Sequence, residues 1–211
     1  MFGTHDLSLF ALSVLLLAIT PGPDTLYIVG RSSAFGWKHG VVAVLGIALG
    51  IFVHILAGAV GLSAILAASA TAFTVVKWIG AAYLVYIGIT LLFARASSPQ
   101  PERPALAPVP LPRVFAEGFL TNVLNPKVAL FFLAFLPQFI DADAANKPLA
   151  FLFLGVLFNL IGSSWNLFTA WSAAFLRDRF ARSGSAVAWL NRAIGALFVL
   201  LGAKLATARL G

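Results

Sequence analysis

The sequence predicts an all-α polytopic membrane protein: six transmembrane helices as two inverted three-helix repeats, with interrupted helices 1 and 4. Three observations carry that prediction. The 211 residues are 61% hydrophobic and only 10% charged, with a mean hydropathy of +0.98, whereas soluble domains carry about 25% charged residues. Apolar runs recur at 7–29, 41–62, 75–94, 115–139, 149–174 and 187–207, each near the ~20 residues that cross a ~30 Å hydrocarbon core. The first and fourth runs are each broken by proline beside a charged residue, Pro23-Asp24 in one and Pro126-Lys127 in the other.

The first run is flanked by Met1 to Asp6, which holds no Lys or Arg, and no small-residue cleavage motif follows it. It is expected to remain as a membrane helix rather than act as a signal peptide. Inside it lies Ile19-Thr20-Pro21-Gly22-Pro23-Asp24-Thr25. Pro21 and Pro23 have no N–H, and their rings crowd the carbonyls of Leu17 and Ile19, which lose their helical partners. Bare carbonyls at membrane depth persist only where they are buried in protein or line a cavity. Pro23 suits the first turn of a new half-helix, with Asp24 and Thr25 in that turn and free N–H groups at a positive dipole end that favours anions.

The second run places Gly46, Gly50, His54 and Gly58 at four-residue spacing, a small-residue face for close helix packing that carries one imidazole. His54 reads as a packed side chain before it reads as a proton relay. The fourth run repeats the proline device with the opposite charge, in Thr121-Asn122-Val123-Leu124-Asn125-Pro126-Lys127. Pro126 frees the carbonyl of Asn122, and Asn122 and Asn125 add donors and acceptors. A charge at a helix centre costs about 2.5–3.5 kcal/mol on insertion scales, so Asp24 and Lys127 are expected to face one cavity. Their depths differ, since Asp24 is only about 10 Å of helix from Arg31, and a direct ion pair is not implied. The competing reading is structural: an Asp after a proline starts a helix, and an Asp–Lys pair locks helices together.

In the fifth run Asn159, Ser163 and Asn166 share a face with Gly162 and Ala170. That stripe could line a pathway, and interhelical hydrogen bonding explains it equally well. Trp78, Trp171 and Trp189 read as interfacial anchors, while Lys77 and Glu117 lie near segment ends with structural roles. Between the halves, residues 96–113 hold six of the 11 prolines and read as an extended cytoplasmic linker. The chain thus divides into a first repeat at 1–95, the linker at 96–113 and a second repeat at 114–211. Ile79-Gly80-Ala81-Ala82-Tyr83-Leu84 matches Ile194-Gly195-Ala196-Leu197-Phe198-Val199. Three spans per half make the copies inverted, an architecture recurrent in secondary transporters.

The net charge of +7 follows topology rather than a nucleic-acid partner. Arg31 and Lys38 follow the first run, Arg95, Arg103 and Arg113 the third, and Arg177, Arg179 and Arg182 the fifth, so those loops are expected to be cytoplasmic and both termini outside. The chain has no cysteine, hence no disulfide and no thiolate metal site. It carries no HExxH motif and no paired nucleophile and base. An enzyme is therefore not expected, nor a cofactor or a resident metal.

Residues along nearly the whole chain resemble the lysine exporter and homoserine/threonine exporter superfamily (LysE/RhtB). The resemblance is carried by Thr20-Pro21-Gly22-Pro23-Asp24, by Gly50-Ile51-Phe52-Val53-His54 with Ala57, Gly61 and Leu62, and by Lys77 to Gly88. The second half adds Glu117 to Lys127, Phe135-Leu136-Pro137-Gln138-Phe139 and Gly202-Ala203-Lys204-Leu205-Ala206. The sequence departs from the family at Gly36-Trp37-Lys38-His39-Gly40, where members often carry paired basic residues.

The resemblance implies a bacterial inner-membrane protein that exports an amino acid or close derivative by proton antiport, with the lipid bilayer, the substrate and protons as its partners. Its oligomeric state stays open, a homo-oligomer included. The expected substrate and proton site comprises Pro21, Gly22, Pro23, Asp24, Thr25, Asn122, Asn125, Pro126 and Lys127, with His54, Asn159, Ser163 and Asn166 along a pathway. A passive channel for small polar solutes would share the broken helices. A metal-cation exporter fits poorly, because the one methionine is Met1 and no soft ligand set exists.

Overall fold

A computed structural model describes residues 2–68, 109–141 and 143–175, together with isolated positions between 75 and 93 and between 196 and 203. The continuous described stretches hold six helices: α1 (Leu7–Ile19), α2 (Pro23–Phe35), α3 (Trp37–Ala68), α4 (Leu111–Val123), α5 (Pro126–Leu130) and α6 (Lys147–Phe175). A π-helical turn, Phe131–Phe135, and a 3-10 turn, Leu136–Phe139, follow α5. Two stretches, Trp37–Gly61 and Lys147–Phe175, are each long and apolar enough to span a membrane. The pairs α1 with α2, bent by 55°, and α4 with Pro126–Phe139, bent by 44°, raise the candidate spans to four. The described residues are thus those of an all-helical membrane protein. Apart from those isolated positions, the runs at 75–94 and 187–207 fall outside the described residues, as do most of the linker, Lys77, Trp189, the basic residues Arg95, Arg103, Arg177, Arg179 and Arg182, and the comparison of the two repeats.

The prolines account for both bends. α1 stops at Ile19, Thr20 turns extended, and Pro23 opens α2 at its first position. The pattern recurs where α4 stops at Val123 and Pro126 opens α5. α4 itself begins at Leu111, inside the proline-rich stretch, because Pro112 sits in its first turn where a missing N–H costs no hydrogen bond. At the far end of α2 the chain reverses into α3 through Gly36, whose φ of 86° is open to glycine and strained for other residues.

Close packing against α3 holds the broken helices. A Cβ on Gly50 would lie 2.9 Å from the side chain of Asn122, and one on Gly118 would lie 2.7 Å from the carbonyl of Ala43. A Cβ on Gly46 would press into the Phe115 carbonyl. α3 and α4 therefore meet nearly backbone to backbone, as small-residue faces permit. Farther along α3, Gly58 faces the Phe151 ring of α6. Phe10, Phe131, Phe132, Phe135, Phe139, Phe151 and Phe158 fill the space between these helices.

Polar ties mark the two ends of the bundle. At one end His5 donates its backbone N–H to the Phe139 carbonyl at 3.1 Å, and Asp141 donates its own to Gly3 at 2.9 Å. At the other, Glu117 on α4 accepts from Arg31 on α2, from Arg113 at 2.8 Å and from the Tyr27 hydroxyl at 3.1 Å. Arg31 and Arg113 thus lie together at that end, both on the Glu117 carboxylate.

Candidate functional site

The two breaks meet. α1 and α2 each run 13 residues, about 20 Å apiece at 1.5 Å per residue, so the gap falls roughly halfway along the bent pair. Around it lies a cavity of about 40 Å³ lined by residues that include Asp24, Thr25, Asn122, Lys127, Gly162 and Asn166, with apolar walls from Val14, Leu17, Ala18, Ile51, Val128 and Phe158. That volume admits about two waters and is too small for an amino acid.

Lys127 is held by the end of α1. Its Nζ donates to the Leu17 carbonyl at 3.1 Å and to the Thr20 carbonyl at 2.9 Å, in a position only 8% exposed. Cations are stabilised there, where unpaired carbonyls form the negative end of the helix dipole. Proline sterics pointed to the carbonyls of Leu17 and Ile19, and the ammonium takes Leu17 together with Thr20. The Thr20 carbonyl is presented by the extended backbone before Pro21, at φ −64° and ψ 120°, a restriction on the residue preceding any proline. Gly22 gives the ammonium room, since a Cβ there would lie 2.9 Å from Nζ.

Asp24 is held from the other broken span. The Asn122 side-chain amide donates to its Oδ2 at 2.8 Å, across 98 residues of sequence. Asp24 and Lys127 line the same cavity, yet no direct ion pair joins them among the described residues. The depth difference is bridged by the lysine stem, which carries Nζ from the start of α5 to the end of α1. Asn125 caps α5, its Oδ1 accepting the Lys127 backbone N–H at 3.0 Å, and Pro126 fills the first helical position.

Three buried polar atoms in this region have no hydrogen-bond partner among the described residues: Asp24 Oδ1, Asn122 Oδ1 and Asn125 Nδ2. Buried polar groups are nearly always paired, and each unpaired one calls for an explanation. Their chemistry is complementary to a small zwitterion: two acceptors suit an ammonium and one donor suits a carboxylate. The start of α2 adds to the donor side, because Gly22 offers no capping side chain and leaves its first-turn N–H groups free of one.

The remaining expected site residues divide. Asn166 lines the cavity. Asn159 donates instead to the Ala48 carbonyl of α3 at 3.1 Å and accepts from Ser163 at 2.9 Å, so these two tie helices together. His54 Nε2 sits 3.0 Å from the Asn122 carbonyl and its ring stacks against Phe132. It braces the residue that holds Asp24. The apolar walls, Phe158 and Val14 among them, have no sequence signal of their own, because they are indistinguishable from lipid-facing residues in a run of apolar letters.

Comparison with known proteins identifies the family. A family model, LysE type translocator, matches residues 15–209. The chain is 33% identical to an uncharacterised membrane protein of Pseudomonas aeruginosa over 99% of its length and 98% of that protein. It is 32% identical to an uncharacterised membrane protein of Vibrio cholerae over 95% of its length and 96% of that protein. It is also similar to the leucine efflux protein of Salmonella typhimurium, 27% identical over 98% of the chain and 97% of that protein. No solved structure matches it. With the model spanning both proline breaks and nearly the whole sequence, the chain belongs to the LysE type translocator family.

Proposed function

We propose that this protein is a secondary transporter that exports an amino acid from the cytoplasm in exchange for protons, at a site near the membrane midplane between two inverted repeats. The observation that carries the reading is the set of unpartnered atoms at the meeting of the two breaks, Asp24 Oδ1, Asn122 Oδ1 and Asn125 Nδ2. The substrate ammonium binds between the two oxygens. Its carboxylate binds Asn125 Nδ2, the N–H groups of Gly22, Asp24 and Thr25 at the start of α2, where Pro23 opens the helix without one, and the one Lys127 N–H not held by α1. Pro21 and Pro126 keep both helices open at this depth. The side chain meets the apolar wall of Val14, Ala18, Ile51 and Phe158, which favours an aliphatic amino acid, in keeping with the relative named a leucine efflux protein.

Export against a gradient requires that substrate and proton exclude each other, and Asp24 Oδ1 provides one atom for both. A proton on that oxygen removes the charge that holds the ammonium, and a bound ammonium blocks the proton. The cavity of about 40 Å³ is a contracted form, so binding requires α1 and α2 to move relative to α4 and α5, as alternating access does. A binding competition tests the reading. Leucine should bind the purified protein at least tenfold more tightly than leucinamide, which lacks the carboxylate, and than 4-methylpentanoate, which lacks the ammonium. Equal binding of all three would overturn it.

A further inference from the structure

Lys127 is bound differently from Arg31 and Arg113, whose partners are carboxylates. Its ammonium rests on two main-chain carbonyls, Leu17 and Thr20, at the C-terminal end of α1, and it makes no ion pair with Asp24. In secondary transporters built on broken helices, half-helix C-termini and unwound carbonyls are the ligands that coordinate a sodium ion. The same kind of ligand set is present here and is filled from within the chain. Two further features fit that use. Gly22 is open toward the ammonium, where a Cβ would lie 2.9 Å from Nζ and 3.2 Å from Cε. Asn125 Oδ1 fixes the Lys127 backbone through its N–H at 3.0 Å, so the stem is aimed at the end of α1.

We propose that Lys127 is a tethered cation seated where a free monovalent cation would otherwise bind, at the C-terminal end of α1, so that transport needs no sodium ion. The seat is then specific for a monovalent cation with hydrogen-bond donors, and in the contracted form it ties the end of α1 to the start of α5. A compact ammonium suits it, because two carbonyl oxygens satisfy two of its donors while its single charge matches the partial charge of the helix end. The inference rests on reading the breaks as a transport site, but the cation seat itself is tested without transport.

Lys127→Ala removes a propylammonium fragment beyond Cβ. Added n-propylammonium chloride should therefore raise the thermal unfolding midpoint of the variant in detergent, saturably and by about 3 °C or more. Tetramethylammonium, which has no N–H, should not, and neither salt should shift the native protein. Lys127→Met keeps an apolar stem, and ammonium chloride should stabilise it in the same way if the alanine variant is not recovered folded. Absence of a specific shift in the variants, or leucine transport by the native protein that requires sodium, would overturn the proposal. A specific shift in a protein that does not transport leucine would leave the cation seat standing and remove the amino-acid reading instead.

Discussion

The hydrogen bond from Asn122 to Asp24 joins the two proline breaks through the carboxylate, and its energy can be isolated. Asn122 is fully buried and donates to Oδ2 at 2.8 Å. Hydrogen bonds to charged groups contribute about 1.5–3 kcal/mol in soluble proteins. Side-chain pairs inside membrane proteins average nearer 0.6 kcal/mol and reach about 1.7, because the unfolded chain in lipid also finds partners. A charged acceptor places this pair at the upper end, about 1–2 kcal/mol. Asn122→Ala also removes Oδ1, but that atom has no partner to lose. A double-mutant cycle of Asn122→Ala with Asp24→Ala, read by reversible unfolding in mixed detergent micelles, should give a coupling energy of about 1–2 kcal/mol. Additivity within about 0.3 kcal/mol would refute the claim that Asn122 holds the carboxylate.

Three further outcomes follow from the same geometry. Gly22→Ala should displace the Lys127 ammonium from one carbonyl, lowering stability by about 1–2 kcal/mol and transport at least tenfold, whereas Gly30→Ala, with nothing near its would-be Cβ, should do neither. Glu117→Gln loosens the tie between α2 and α4, but its partners are partly exposed, so unfolding should shift by no more than about 1 kcal/mol and the difference should shrink in high salt. His54→Gln, which keeps a hydrogen-bonding side chain beside the Asn122 carbonyl, should retain proton-driven transport within about threefold. Loss of coupling with leucine binding intact would make His54 a proton carrier rather than a brace.

The breaks were legible in the sequence because proline acts locally and by sterics. Pro21, Pro23 and Pro126 each open or end a helix where that rule puts them, and the cost of buried charge was enough to bring Asp24 and Lys127 to one cavity. The small-residue face of α3 was legible for the same kind of reason, since Gly46 and Gly50 admit the α4 backbone. What the letters do not carry is which polar atoms pair. Asn159 and Asn166 stand at helical spacing on α6, yet Asn159 turns to the Ala48 carbonyl of α3 while Asn166 faces the cavity. That choice depends on the crossing of two helices, a tertiary quantity. The π-helical turn at Phe131–Phe135 was equally invisible, because a run of aromatic residues has no signature separating it from ordinary helix.

The account stands most directly on proton-driven movement of an amino acid through the site at the two breaks. Inverted membrane vesicles, acidified inside and containing the native protein or Asp24→Asn, should be given labelled leucine on the outside, which corresponds to the cytoplasmic side. The native protein should accumulate leucine above the external concentration only while the pH gradient lasts, and Asp24→Asn, though folded, should not. Equilibration without accumulation by the native protein would mean a passive channel, and full gradient-driven accumulation by Asp24→Asn would contradict the role given to that carboxylate.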